Sequence, residues 1–344
     1  MYGSIAICSG RASTGLCRSV CRILGIEPEP VEFHQFSNGN MMVNFPGGTV
    51  REKDVFIIQS GERSILGDKT EAYRAVSGDI LEMLQMISAL KDSAGRLTAV
   101  TPYFPYARSD KKDKPRIAIT SKMIFDLIAA VGAHRVLAMT LHCPQSQGFS
   151  NIPVDQLHAY TVFITRRLGM GLEKLAFIAP DSGSILDNDF LALHAAKGIR
   201  DAGGAPDITT GYVKKVRVDD SEKPLVRTVE GIDDLSDRTV IMSDDEILSG
   251  RSLILCAETA KSKGAKEIYA FVTHAILSGE AVKSIEDSPI TKLYITDTVE
   301  FDREAAQRIN GGPLTRIETL SVAHIFAEAI KRIHQGRSLS SLYL

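Results

Sequence analysis

Eight short, unbroken apolar runs punctuate the chain: SIAICSG, DVFIIQSG, RLTAVTPYF, HRVLAMTLH, LAFIAPDSG, RTVIMSDD, EIYAFVTHA and KLYITDTV. Strict alternation of apolar and polar residues would mark strands with one wet face. Continuous runs mark strands covered on both faces. Helical patterns lie between them, among them TEAYRAVSGDILEMLQMISALKDSA and SKMIFDLIAAVGA. Strands alternating with helices predict an α/β fold with parallel sheets flanked by helices.

The runs are too many for one small sheet, and 344 residues leave room for about two domains of roughly 150 residues each. An internal match points the same way. GAHRVLAMTLHCPQSQG, starting at Gly132, aligns without a gap to GAKEIYAFVTHAILSGE, starting at Gly264. The match sets Ala138 on Ala270, His142 on His274 and Ser146 on Ser278. VFIIQSG (55–61) and AFIAPDSG (176–183) are alike in type. These matches predict two domains related by duplication, 1–155 and 156–325. A terminal helix and polar tail, 326–344, follow.

Composition narrows the function classes. With 40 basic and 42 acidic residues the net charge is −2, so no global field favours nucleic acid. A phosphate ligand must be held by local groups. The five cysteines (Cys8, Cys17, Cys21, Cys143, Cys256) are scattered and odd in number. Cys17 and Cys21, four apart, suit one helix face better than a metal knuckle. The reading is reduced thiols in a cytoplasmic protein. No run reaches membrane-spanning length, and the N-terminus lacks a basic region followed by an apolar stretch. Neither a membrane partner nor export is expected.

MSDDEILSGRS (242–252) is the most informative turn. It joins an apolar strand to a helical pattern, and open α/β sheets bind ligands where strands end and helices begin. Ser249, Gly250 and Ser252 suit an anion at a helix N-terminus, because glycine admits close approach and hydroxyls add donors. Asp244 and Asp245 would repel phosphate but accept hydrogen bonds from vicinal sugar hydroxyls, or reach a metal. Phosphate at one end and hydroxyls at the other describe a ribose 5-phosphate. An Asp-rich turn with a serine N-cap is the purely structural alternative.

DDEILSGRS resembles the phosphoribosyl-binding loop of the type I phosphoribosyltransferase fold. The stretch YFPYARSDKKDKPRIAITSKMIFDLIAAVGAHRVLAMTLHCPQSQGFSNIPVDQLHA (103–159) is more specific and resembles the ribose-phosphate diphosphokinases, which make phosphoribosyl diphosphate (PRPP). The resemblance continues through FSNGNMMVNFPGGTVREKDVFIIQSG, APDSGS, VKKVR and VTHAILSGEAV, in order along nearly the whole chain. It implies two tandem type I phosphoribosyltransferase-like domains, and a homo-oligomer of dimers assembling to a hexamer. The implied substrates are ATP and ribose 5-phosphate, with Mg²⁺ as cofactor. The implied reaction moves the β,γ-diphosphate of ATP to the ribose 1-hydroxyl and releases AMP. Such a transfer needs positioning and charge neutralisation more than covalent catalysis.

Roles follow from the same resemblance. Lys215 and Arg217 of VKKVR become the cations that stabilise the transferring phosphates. Phe36, Asn38 and Asn40 of FSNGN face adenine. Arg108, Ser109, Asp113 and Arg116 belong to a loop closing over ATP. His142 serves nucleotide and metal, and Asp181 the metal. Asp244, Asp245, Ser249, Gly250, Arg251 and Ser252 hold ribose 5-phosphate.

The chain departs from the family pattern at several of these places. Thr140 stands where the family commonly has Asp. Leu248 replaces the third Asp of the phosphate loop, and Arg251 replaces a later glycine. Asn40 replaces Glu and Ser109 replaces Gln. After APD the chain runs SGSILDND, with Asp187 and Asp189, where the family continues with glycines and basic residues. The departures leave two further readings: a diphosphokinase with a different ribosyl phosphate acceptor, or a non-catalytic regulatory subunit of the same fold.

Overall fold

The computed structural model describes residues 2–61, 69–167, 174–216, 226–277 and 280–342. The chain forms two compact units. One comprises Met1–Ala159, Asp297–Phe301 and Ser321–Leu344; the other comprises Tyr160–Thr296 and Asp302–Leu320.

The first unit opens with β1 (Ile5–Ser9) and α1 (Thr14–Leu24), followed by β2 (Glu32–Gln35) and β3 (Met41–Asn44). Then come β4 (Asp54–Ile58), α2 (Lys69–Leu90), β5 (Arg96–Thr101), α3 (Thr120–Ala130), β6 (Arg135–Met139) and β7 (Val154–Leu157). Five strands make one parallel sheet in the order β1-β4-β5-β6-β7. All five residues of β4 are buried, as its unbroken apolar run requires. The core on one side gathers Val55, Ile57, Leu97 and Ala99 with Met83, Met86 and Ile87 of α2 and Phe125 of α3. The pair β2–β3 is a separate antiparallel hairpin.

The second unit runs α4 (Tyr160–Arg167), β8 (Lys174–Ala179), α5 (Ile185–Asp201), β9 (Asp207–Val216), β10 (Val226–Glu230), β11 (Thr239–Ile247) and α6 (Arg251–Ser262). It continues with β12 (Glu267–Ala275), α7 (Ala281–Glu286), β13 (Lys292–Thr296), α8 (Arg303–Asn310) and β14 (Ile317–Leu320). Its seven strands lie in the order β10-β9-β8-β11-β12-β13-β14, with only β9–β10 antiparallel. The chain passes from β8 outward to β9 on one side, then returns to lay β11 on the other. The boundary between β8 and β11 is therefore a topological switch point, where the crevice beyond the strand ends receives ligands.

All eight apolar runs are strands paired in parallel within these two sheets. The repeated Gly-Ala pair also has a physical cause. Gly132 and Gly264 both adopt positive φ, 115° and 94°. At each, the glycine N–H returns to the carbonyl three residues back, and the alanine N–H to the carbonyl five back. That is the Schellman stop of a helix, which a glycine fits without a Cβ penalty. The match does not extend to the histidines. His274 lies inside β12 and is 2% exposed, whereas β6 ends at Met139 and His142 stands exposed beyond it. Ser278 lies outside the described residues.

The C-terminal segment differs from the separate helix and tail expected at 326–344. The helix α9 (Ala323–His334) starts earlier and belongs to the first unit, with Ile325, Phe326, Ile330 and Ile333 buried. Residues 297–301 also belong there. Asp297 accepts hydrogen bonds from Ser321 Oγ at 2.6 Å and from Val322 N–H at 2.8 Å, which fixes the start of α9. No helix among the described residues is long and apolar enough to cross a membrane.

Candidate active site

The switch point carries the acidic residues singled out in the sequence. β8 ends at Ala179, and Asp181 follows at the head of a 3-10 turn, Ser182–Ser184, that leads into α5. Across the crevice, β11 does not end at its aspartates; it runs through Asp244 and Asp245 to Ile247 because β12 continues to pair with it there. One Oδ1 of Asp181 accepts from Gly183 N–H at 3.0 Å and lies 3.4 Å from Ser184 Oγ. The Ser184 hydroxyl is also 3.2 Å from Asp244 Oδ1, which accepts the Asp245 N–H at 3.0 Å. Asp181 and Asp244, about sixty residues apart in sequence, thus share one serine hydroxyl.

Crowded carboxylates raise one another's proton affinity. Burial pushes the Asp244 carboxyl well above the usual range, and the charges of Asp245 and Asp181 add to it; the Ser184 hydrogen bond opposes them. Asp187 on α5 is raised as well, by burial first and by Asp245, with a hydrogen bond from Tyr160 working against the shift. The Tyr160 phenol is pushed up by its burial and then by Asp187. Sequence reasoning marked Asp187 as a departure from the family pattern but missed Tyr160 and Ser184 as members of this cluster.

A carboxyl raised in the folded state contributes stability that is complete below its unfolded value, and that is lost as pH rises through its folded value. Asp244→Asn keeps an oxygen to accept from Ser184 and Asp245 N–H but removes the charge. In metal-free buffer it is expected to raise the thermal midpoint, with a gain that grows as pH climbs above about 4, the ordinary aspartate range. Thermal melts across that range check the sign. Equal midpoints for parent and variant at all pH values would remove the crowding.

Beyond β11 the loop turns at Gly250, whose φ is 72°. This residue is the N-cap of α6, and glycine has no side chain to spend on its own helix. The serine N-cap expected from the structural alternative is therefore absent. The first turn of α6 presents N–H groups beside Ser249, which is exposed, and Ser252, which is half-buried. Arg251 is the first helical residue and is exposed. Lys215 lies on β9, in register with Arg227 of β10. Arg217 lies outside the described residues.

The first unit presents the other predicted positions. Phe36, Asn38 and Asn40 form the tip of the β2–β3 hairpin, closed by Phe36 N–H to Asn40 O and Gly39 N–H to Phe36 O, both at 2.8 Å. Asn38 Oδ1 accepts from Asn40 N–H at 3.0 Å. Phe36 is 45% exposed, an aromatic face open to stacking, with His34 edge-on beside it. Arg108, Asp113 and Arg116 are exposed on the loop between β5 and α3. Ser109 is used differently. Its hydroxyl accepts from Thr120 N–H at 3.3 Å and reaches Ala118 O at 3.4 Å, while its carbonyl accepts from Ser121 N–H and Ser121 Oγ. Ser109 therefore closes the loop onto the start of α3. His142 is exposed just beyond β6. Its neighbour Cys143 is raised by partial burial and by a hydrogen bond to Asp110, so this turn and the 106–116 loop adjoin.

Among the described residues, no group of three or more His, Cys, Asp or Glu is arranged to hold a metal. The donors at the switch point are carboxylate oxygens, the chemistry Mg²⁺ prefers. An ion there would rest on few protein oxygens and on substrate phosphates.

Comparison with known proteins agrees with this architecture. Residues 5–132 match the family model described as the N-terminal domain of ribose phosphate pyrophosphokinase, and residues 206–344 match the phosphoribosyl synthetase-associated domain. A ribose-phosphate pyrophosphokinase of Deinococcus radiodurans is 36% identical over 98% of both chains. Ribose-phosphate pyrophosphokinase 2 of Schizosaccharomyces pombe is 34% identical over 99% of this chain and 97% of its own. The crystal structure of phosphoribosylpyrophosphate synthetase from Mycobacterium smegmatis matches with a TM-score of 0.80 at 27% identity, over 97% of this chain and 100% of that one. With two phosphoribosyltransferase-like units in one chain and end-to-end similarity to these relatives, the chain belongs to the ribose-phosphate pyrophosphokinase family.

Proposed function

We propose that this protein transfers the β,γ-diphosphoryl group of ATP to the 1-hydroxyl of ribose 5-phosphate, giving PRPP and AMP. The observation that carries the reading is the cradle at the switch point. Asp244 and Asp245 stand at one end, and an α6 N-terminus with its glycine N-cap stands at the other. In this reading the carboxylates accept the sugar's vicinal hydroxyls. Ser249, Gly250, Ser252 and the α6 N–H groups hold the 5-phosphate, and Arg251 adds a cation at its edge.

The ribose 1-oxygen attacks the β-phosphorus. The bond from that phosphorus to the bridging oxygen breaks, AMP leaves, and the hydroxyl proton is released to solvent or base. Lys215 and Arg217 neutralise charge on the transferring oxygens, a contribution largest in the transition state. Phe36 stacks on adenine, with Asn38 and Asn40 beside the base edge. Arg108, Asp113, Arg116 and His142 complete the nucleotide side, and Ser109 shapes their loop. Mg²⁺ would be held by Asp181, with His142 assigned to it by family resemblance, and would supply charge neutralisation of the phosphates. A cytoplasmic homo-oligomer, dimers assembling to a hexamer, completes the reading.

The test is ³¹P NMR of the purified protein with Mg²⁺, ATP and ribose 5-phosphate. AMP together with a sugar 1-diphosphate signal is the expected result. A folded protein that yields no AMP under those conditions overturns the reading. A panel of other ribosyl phosphates then asks whether Arg251 and Leu248 have changed the acceptor.

A further inference from the structure

The spacing of Asp181 and Asp244 is not set by the backbone ladder. β8 and β11 are in register only from Leu175–Thr239 to Phe177–Ile241. Past that point the two strands carry their carboxylates without pairing, and side chains must hold them. Two do. Asn188, on α5, is 1% exposed and spends both amide protons: one on Ser184 O at 2.9 Å, one turn back, and one on Ser243 O at 3.2 Å, next to Asp244. Ser184, 4% exposed, places its hydroxyl between Asp181 Oδ1 and Asp244 Oδ1, at 3.4 and 3.2 Å. A hydroxyl has one proton, so it serves both carboxylates by sharing it. Residues 181, 184, 188, 243 and 244 thereby close a ring of side-chain and backbone contacts across the switch point.

The ring is costly to bury. Asn188 Oδ1 and Ser243 Oγ are buried with no hydrogen-bond partner among the described residues. A buried polar atom left unpaired destabilises the fold, and an apolar side chain of similar size would avoid that. An amide kept at such a position is explained by what its two N–H groups hold together.

We propose that Asn188 and Ser184 are positioning residues that set the separation of Asp181 from Asp244, so that the sugar hydroxyls and the phosphate-bearing side of the site are presented in register. Neither touches substrate in this reading; both act through the carboxylates. The inference rests on the proposed diphosphoryl transfer.

Three full-length variants test it: Asn188→Leu, Ser184→Ala and the double substitution. Asn188→Leu removes an unpaired oxygen and is expected to melt at or above the parent. Its kcat is nonetheless expected to fall by about 10-fold or more, the scale on which misplacement of supporting groups is felt. Ser184→Ala is expected to lose kcat similarly, with Ser184→Thr recovering most of it. The double variant is expected to lose no more than the worse single, because both act on one link. Wild-type kcat in both single variants, or losses that multiply as independent sites would, overturns the proposal. If Asn188→Leu does not fold, Ser184→Ala with its threonine rescue decides.

A second readout needs no turnover. In crystal structures of the parent and of Ser184→Ala, the Asp181 and Asp244 carboxylates are expected to stand farther apart in the variant, because the hydroxyl that both contact is gone. An unchanged separation overturns the link. Should the parent make no AMP from ribose 5-phosphate, the functional reading fails, and the measured separation alone judges the ring.

Discussion

Lys215→Ala is expected to lower kcat by about 10²- to 10³-fold, the cost of removing one preorganised charge from a transition state, while the KM for ATP stays nearly unchanged. The register of β9 supports the assignment. Its last residue paired with β8 is Tyr212, opposite Ala179, and β9 then runs on to Val216. Lys215 therefore lies on the overhang, level with the turn that carries Asp181, at the ligand end of the sheet. A cation there gains most when negative charge gathers on the transferring phosphates, and less when ATP merely binds. The measurement is initial-rate AMP formation over a range of ATP concentrations. A loss confined to KM would make Lys215 a nucleotide-binding residue. Lys215→Arg is expected to recover little, since a planar fork does not occupy the place of a compact ammonium.

The strands, the helices and the ligand end of the second sheet were legible because each is written locally. Unbroken apolar runs mark buried parallel strands, and the Gly-Ala pairs mark helix stops with left-handed glycine. Asp181 and Asp244 could be found because each stands where an apolar run gives way to polar residues ahead of a helix. The short strands β2, β7 and β14 carry too few residues to show a period, and β10 (VRTVE) neither alternates nor forms an apolar run.

The return of residues 297–301 and 321–344 to the first unit was not legible. The apolar stripe of α9 says which face is buried but not which sheet it covers. Tyr160, Ser184 and Asn188 were missed for a related reason. Their meaning lies in contacts across the β8–β11 crevice, and in the sequence they read as a helix start with unremarkable polar residues. The two histidines aligned by the internal match show the converse. Similar neighbours along the chain did not give similar surroundings, because β12 continues past the level at which β6 stops.

Asp54→Ala is expected to destabilise the first unit by about 3–5 kcal/mol, the scale for breaking a buried ion pair by removing one partner. Asp54 opens β4 and is fully buried. Its two oxygens accept from Arg96 Nε at 2.8 Å and Arg96 Nη2 at 2.5 Å, and His334 Nδ1 lies 3.0 Å from Oδ2. Arg96 also donates to Ile333 O at 3.0 Å, and its guanidinium sits 4.5 Å from the Tyr2 ring centroid. One carboxylate thus holds the start of β4, the start of β5 and the end of α9. Its removal leaves a largely buried guanidinium without a counter-charge. Asp126→Ala supplies the contrast: that carboxylate meets Lys122 at 2.6 Å on an exposed helix face. Such a pair contributes about 0.3–0.5 kcal/mol. Urea unfolding followed by circular dichroism, with hydrogen exchange read over 323–334, separates the two. A change near 3–5 kcal/mol with early exchange across α9 is the expected result for Asp54→Ala. A loss no larger than that of Asp126→Ala would mean that α9 is held by its apolar face alone.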